Sequence, residues 1–367
     1  MNTADAGIAR ALLDHSRALI HTLQTPEGAY PASPSFSAYR GYCWFRDGAF
    51  IADGMSAAGD EQSATRFFQW CADIIERYAD TINAAVAGAE LGAPVPDSHM
   101  LPARFTFDGG LGSDDWWDFQ LDGYGTWLWA LAEHADRHAV DLAPYARAVR
   151  LSVEYILSSW ERPCFDWWEE FDSKRHVNTL GCLAAGLAAS SRLGTLDASL
   201  ATSAAAGAEA IRDTILEQGT RDGHLVKWLG ADAVDGSLLS LISPLGVFPP
   251  DHPVAAATVA AVEADLEYEL GVHRYLDDTF FGGGRWPLLS CFAGLAHAAL
   301  GNRERAVAYL AWAASTATAD LDVPEQVAGH LLAPHFYDEW VERWGTPATP
   351  LLWAHAMILR LDAEVTR

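Results

Sequence analysis

The chain has 367 residues and carries 24 Lys and Arg against 49 Asp and Glu, a formal charge of −25 at pH 7. That balance argues against nucleic acid or an anionic membrane as a partner, because both need clustered basic side chains. Only two lysines occur, Lys174 and Lys227, and no basic stretch exists for gripping phosphate.

At about 150 residues per domain the length suggests two domains, but closed helical barrels of this size are often single units. The start, MNTADAGIARALLDHSRALI, lacks a basic region followed by an apolar core and a cleavage site, so a cytoplasmic protein is expected. No run of 18 apolar residues is present to span a membrane. Cys43, Cys71, Cys164, Cys182 and Cys291 are odd in number and scattered, which predicts buried free thiols rather than disulfides or a zinc site. Fifteen Trp and eleven Tyr form the one compositional excess. Such rings stack on the C–H faces of sugars, but they also simply fill cores.

In chain order, apolar residues at helical spacing predict helices near 5–23, 47–59, 61–81, 123–138, 143–159 and 176–193. Six more follow near 197–217, 236–243, 252–269, 286–299, 302–319 and 348–363. Segments such as LGCLAAGLAAS and PLLSCFAGLAHAAL are apolar all round, as a buried helix requires, whereas GNRERAVAYLAWA is charged on one face. Alternation of buried and half-exposed helices, twelve in all, predicts an all-α fold of two concentric rings, an (α/α)6 barrel. Long connections at 82–122, 218–235 and 320–347 interrupt it, and loops of that length usually carry function. The run ARFTFDGG (103–110) reads as a short local hairpin. No stretch resembles an interdomain linker, so residues 1–367 read as one domain.

The segment FDWWEEFDSKRHVNT packs Asp166, Glu169, Glu170 and Asp172 beside Trp167 and Trp168. Desolvation and like-charge repulsion there raise the pKa of at least one carboxyl, as a general acid needs. The bland alternative is a solvated acidic loop ahead of a helix. Glycoside hydrolysis needs a second carboxylate across the scissile bond. Glu325, Asp338, Glu339 and Glu342 are the candidates, and spacing does not choose among them. In WFRDG (44–48), Arg46 and Asp47 stand just ahead of a helix and read equally well as a capping pair. SDDWWD (113–118) fits the DDxxD pattern of diphosphate-binding magnesium sites, but no second metal motif and few basic residues accompany it. Nucleotide, zincin and hydrolase-elbow motifs are missing, so no cofactor or metal is expected.

Five blocks in order, GYCWFRDGAF (41–50), DFQLDGYGTWLWALAEH (118–134), DWWEEFDSKRH (166–176), GVHRYLDDTFFGGGRW (271–286) and VPEQV (323–327), resemble glycoside hydrolase family 15. That family contains glucoamylases, glucodextranases and bacterial relatives on an (α/α)6 barrel. The resemblance implies that Glu169 is the general acid, Glu325 the general base and Glu170 a sugar ligand. It implies that Arg46 and Asp47 grip the terminal glucose, that Trp116 and Gln120 line the pocket and that Arg274 reaches the glucose near the cleavage point. Asp122, Trp168 and Trp286 stand in the same blocks and join the expected substrate contacts.

One departure is Arg285, where the family carries a proline. It is expected either to meet the reducing-end sugar or to pair with Asp277 or Asp278. The sequence contains neither an N-terminal β-sandwich nor a starch-binding module. With no export signal read, a short α-glucoside such as isomaltose is the expected small-molecule substrate. Hydrolysis of trehalose or of α-1,4 links by the same chemistry is the alternative, and a non-catalytic sugar-binding barrel a remote one.

Overall fold

The computed structural model describes residues 3–113 and 119–366. Six helices are buried almost all round: α2 (Phe45–Ala57), α5 (Asp122–His138), α7 (Val177–Ser190), α9 (Leu239–Ile242), α11 (Pro287–Ala299) and α14 (Leu352–Thr366). Each packs on the next, and α14 packs on α2, so the inner ring closes. Outside it lie α1 (Thr3–Leu23), α3 (Glu61–Arg77), α6 (Ala146–Ser159), α8 (Ala198–Gln218), α10 (Pro253–Leu266) and α12 (Arg303–Ser315), each with an exposed face. The expected (α/α)6 barrel is the fold.

Local chemistry sets where the outer helices begin. Asp60, Asp197 and Asn302 accept the amides of Ser63, Leu200 and Arg305 at the starts of α3, α8 and α12. Because each outer helix returns the chain across the barrel, the inner helices run the same way. Their N-terminal ends share one rim, and the positive ends of their dipoles face it.

Two helices were not expected. α4 (Ala79–Glu90) follows α3 after a break at Tyr78, and α13 (Tyr337–Trp344) lies in the last long connection. α4 is rich in Ala, which blunts its apolar spacing, and α13 spans little more than two turns. The helix expected at 236–243 is a 3-10 turn, Gly236–Leu238, followed by the single turn of α9.

The expected local hairpin at 103–110 does not form. Instead β1 (Tyr42–Trp44) pairs antiparallel with β2 (Arg104–Thr106), with Cys43 opposite Phe105. β3 (Thr220–Arg221) and β4 (His224–Leu225) make a tight hairpin. β5 (Glu267–Tyr268), β6 (Gly271–His273) and β7 (Arg285–Trp286) form a small sheet in that order. All five cysteines are buried free thiols. Among the described residues no helix is long and apolar enough to cross a membrane.

The inner ring is tightest between α5 and α7. A Cβ on Gly125 would stand 2.2 Å from the Cys182 carbonyl oxygen, and one on Gly186 2.4 Å from that of Gly125. Helix propensity alone favours alanine over glycine by about 1 kcal/mol. Contact at this distance reverses the sign: Gly186→Ala is expected to destabilise the protein by about 1–3 kcal/mol in urea unfolding. A stabilised variant would mean that the two backbones do not touch here.

Candidate active site

A cavity of about 260 Å³ opens at the shared rim of inner-helix N-termini. Its walls are aromatic, with Phe36, Tyr39, Trp44, Trp167, Trp168, Phe280, Trp286, Trp340, Trp344 and Trp353, and its charged groups are Arg46, Asp47, Glu169, Glu170, Arg274 and Glu325. Of the expected site residues, those six and Trp168 and Trp286 line it. Gln120 and Asp122 stand directly behind Arg46, while Trp116, with the SDDWWD run from Asp114, lies outside the described residues.

Arg46 and Asp47 occupy the first turn of α2 and are buried. The Arg46 guanidinium donates to Gln120 Oε1 at 2.6 Å, Asp122 Oδ2 at 3.0 Å and Asp47 Oδ2 at 3.2 Å. The pair is therefore more than a cap: it locks the start of α2 to the start of α5. Burial pushes the Asp47 carboxyl up to about 6; Arg46 opposes the rise and Asp122 adds to it.

Glu169 sits in the turn ahead of α7 with φ +62°, a left-handed backbone that side chains resist. Such conformations persist where the surroundings impose them, commonly at functional sites. Asp166 does so here: its Oδ1 accepts the amides of Trp168 and Glu170, each at 2.9 Å. The Trp44 indole N–H donates to Glu169 Oε1. The acidic loop is thus an organised turn rather than a solvated run.

Glu170 faces Arg274, whose Nη2 lies 3.5 Å from its Oε1, and accepts the Tyr275 hydroxyl. Burial raises the Glu170 carboxyl despite the opposing charge of Arg274. Arg274 itself is held by Asp278, with Nε donating to Oδ2 at 2.8 Å, and lies among the Trp168, Phe280 and Trp286 rings.

Glu325 is 1% exposed. Its Oε1 accepts the Tyr39 hydroxyl at 2.7 Å, and its Oε2 has no protein partner. Burial raises its carboxyl from 4.5 to about 7, only partly offset by Tyr39 and Arg274. Asp338, Glu339 and Glu342 are exposed, whereas Trp340 and Trp344 of the same α13 line the cavity. Geometry therefore separates Glu325 from the other candidate carboxylates, which sequence spacing did not.

Arg285 is not at the cavity. Successive strand residues face opposite ways, so Trp286 in β7 lines the cavity and Arg285 points to the outer layer. There its Nη1 donates to the Tyr268 carbonyl at 2.9 Å, and its guanidinium lies near the Tyr268 and Trp312 rings. It meets neither Asp277 nor Asp278 in those contacts. Its backbone instead bridges Val327, two residues after Glu325.

Sequence reasoning missed Tyr39, Trp44, Phe280, Trp340, Trp344 and Trp353 as cavity residues. The signal for Trp340 and Trp344 was their i, i+4 spacing beside a run of acids. Unpartnered buried donors Gln120 Nε2, Trp286 Nε1 and Trp353 Nε1, together with Glu325 Oε2, leave polar capacity in or behind the cavity wall. Buried polar atoms without partners are uncommon in native proteins. Aromatic walls with unspent donors and acceptors suit a polyhydroxylated ligand.

Residues 8–319 match glycosyl hydrolases family 15. The chain belongs to that family. It is 49% identical to the isomaltose glucohydrolase of Kribbella flavida over 355 residues, covering 96% of this chain and 92% of that protein. Similarity to the trehalase of Mycolicibacterium smegmatis is 28% over 289 residues, or 72% of this chain and 43% of that one. Among solved structures, a wild-type glycosidase superposes with a TM-score of 0.97 at 47% identity, covering 100% of this chain and 99% of that chain. A variant of that glycosidase in complex with glucose matches equally well. A bacterial glucoamylase complexed with acarbose, at 20% identity and a TM-score of 0.78, covers 99% of this chain and 56% of that one and shares the fold.

For this family member, the burial of Glu325 has a measurable cost. A carboxyl raised from 4.5 to about 7 in the folded state loses stability as the pH climbs through that window. Glu325→Gln keeps an oxygen for Tyr39 and removes the titration. It is expected to match the wild type near pH 4.5 and to exceed it by on the order of 2 kcal/mol at pH 8 in denaturant unfolding. An equal difference at both pH values would show that Glu325 ionises normally.

Proposed function

We propose that this glycoside hydrolase is an inverting, exo-acting α-glucosidase that releases β-glucose from isomaltose or short α-glucosides. The observation that carries the reading is the pair of carboxyls on one cavity: Glu169 in its strained turn, and Glu325 with Oε1 fixed and Oε2 free.

In this reading protonated Glu169 gives its proton to the glycosidic oxygen as the C1–O bond breaks. Ionised Glu325 takes a proton through Oε2 from a water attacking C1 on the opposite ring face. Charge builds on the ring in an oxocarbenium-like transition state, and configuration inverts. The mechanism requires the two carboxyls about 6.5–9.5 Å apart, with room for the water.

Arg46 and Asp47, backed by Gln120 and Asp122, grip the hydroxyls of the terminal glucose. Glu170 and Arg274 hold the sugar near the cleavage point, and Trp168 and Trp286 stack on it. Cleavage is therefore from the non-reducing end, within one catalytic barrel spanning residues 1–367. The α-1,6 preference is supported by the 49% identity to the isomaltose glucohydrolase, spread over nearly the whole chain.

Glucose release from isomaltose, maltose and trehalose tests the linkage: kcat/KM for isomaltose is expected to lead by at least about tenfold. A lead for trehalose or maltose would overturn the substrate and leave the chemistry standing. Glu169→Gln and Glu325→Gln are each expected to lower kcat on isomaltose by at least about 100-fold with KM little changed. An active Glu325→Gln would remove that residue from the reaction.

A further inference from the structure

Lys227 is one of only two lysines in the chain, and it is buried. It follows β4, and its backbone is tied to the start of α7, where its carbonyl accepts the Val177 amide at 3.1 Å. Its ammonium lies 3.0 Å from Asp166 Oδ2 and also donates to Asp235 Oδ2. The Tyr275 ring covers it, with the centroid 3.9 Å away, and Phe171 closes the outer side at 5.4 Å. None of Lys227, Asp166 and Asp235 lines the cavity.

Both carboxylates work on the turn that carries Glu169. Asp166 holds the amides on either side of it, and its own backbone pairs with Glu169 and Glu170, at 3.0 and 3.1 Å. Asp235 accepts the Trp168 indole N–H at 3.0 Å on one oxygen and the Ser237 amide at 2.9 Å on the other. Burying two carboxylates this deeply is costly without a cation beside them. The two charges keep the Lys227 ammonium protonated against its burial, and Lys227 holds Asp235 below the usual carboxylate range although burial pushes it up. Remove the ammonium, and the acceptors around the Glu169 turn lose the cation that holds them together.

The Glu325 side depends on other contacts. Its amide donates to the Ala348 carbonyl at 2.8 Å, and the His355 imidazole accepts the Val323 amide at 2.9 Å. Lys227 therefore bears on one of the two carboxyls and not the other.

We propose that Lys227 is a positioning residue for proton donation: clamped between Asp166 and Asp235, it fixes the strained turn that aims Glu169 at the glycosidic oxygen. The inference rests on the reading of Glu169 as general acid. Its signature follows from the chemistry of the leaving group. In isomaltose the departing sugar oxygen needs a proton as the C1–O bond breaks. In α-D-glucosyl fluoride the C1–F bond breaks with fluoride keeping the electron pair, while water adds to C1 and gives its proton to Glu325. Only the first substrate needs the donor.

The test compares kcat/KM for the two substrates on one preparation, so that the fraction of folded enzyme cancels in the ratio. Lys227→Met is expected to lose about 100-fold on isomaltose, mainly in kcat, and to stay within about threefold on the fluoride. Lys227→Arg, which keeps the charge, is expected to recover most of the isomaltose activity. If Lys227→Met gives no soluble protein, Lys227→Gln is read by the same ratio. A parallel loss on both substrates, or no loss on isomaltose, would overturn the positioning role. Glu169→Gln in the same assay separates the two claims. Equal loss on both substrates there removes Glu169 as the acid. A spared fluoride reaction in Glu169→Gln but not in Lys227→Met removes Lys227 alone.

Discussion

The site depends on holding carboxylates in and directly behind an aromatic-walled cup. Most of them have a dedicated counter-charge: Arg46 serves Asp47 and Asp122, Arg274 serves Glu170 and Asp278, and Lys227 serves Asp166 and Asp235. The barrel contributes the rest. Alternation of inner and outer helices forces every inner N-terminus to one rim, where the helix dipoles favour negative charge. Glu325 has a neutral donor, Tyr39, in place of an ion pair, and burial, only partly offset by Tyr39 and Arg274, pushes its carboxyl up to about 7. A carboxylate left short of charge compensation is a stronger base, and a carboxylate with one oxygen already bonded has one direction left for a water. Both properties come from the same arrangement.

The turn carrying Glu169 shows the complementary strategy. Its backbone is held in a conformation it would not choose, by an acceptor that itself needs a buried cation. The strain is local, while its support reaches from the loop ahead of α7 to Lys227, two residues after β4, and to Asp235, which caps the 3-10 turn ahead of α9. The loops ahead of two inner helices, α7 and α9, are therefore tied together beside the site.

Much of the fold was legible because burial writes itself into composition. LGCLAAGLAAS and PLLSCFAGLAHAAL admit no solvent-facing side, and they are α7 and α11 of the inner ring. α4 and α13 were not legible, since one is built of small residues and the other shows mainly its acids. At the site, the five sequence blocks brought most of the charged residues, and the structure gathers those within the described residues on or directly behind one cavity. The aromatic wall stayed hidden because a tryptophan facing a cavity and one facing a core look alike in sequence. Arg285 shows the limit in another way. Its neighbourhood to Trp286 suggested a shared task, but a strand sends adjacent side chains to opposite faces, and only pairing of β6 with β7 fixes which face meets the cavity.

The central claim is that Glu169 and Glu325 act from opposite faces of the sugar with a water on the Glu325 side. The anomer of glucose formed first from isomaltose, followed by proton NMR before mutarotation, tests it most directly. The account predicts β-glucose. Initial α-glucose would mean retention, a covalent intermediate and a different role for Glu325.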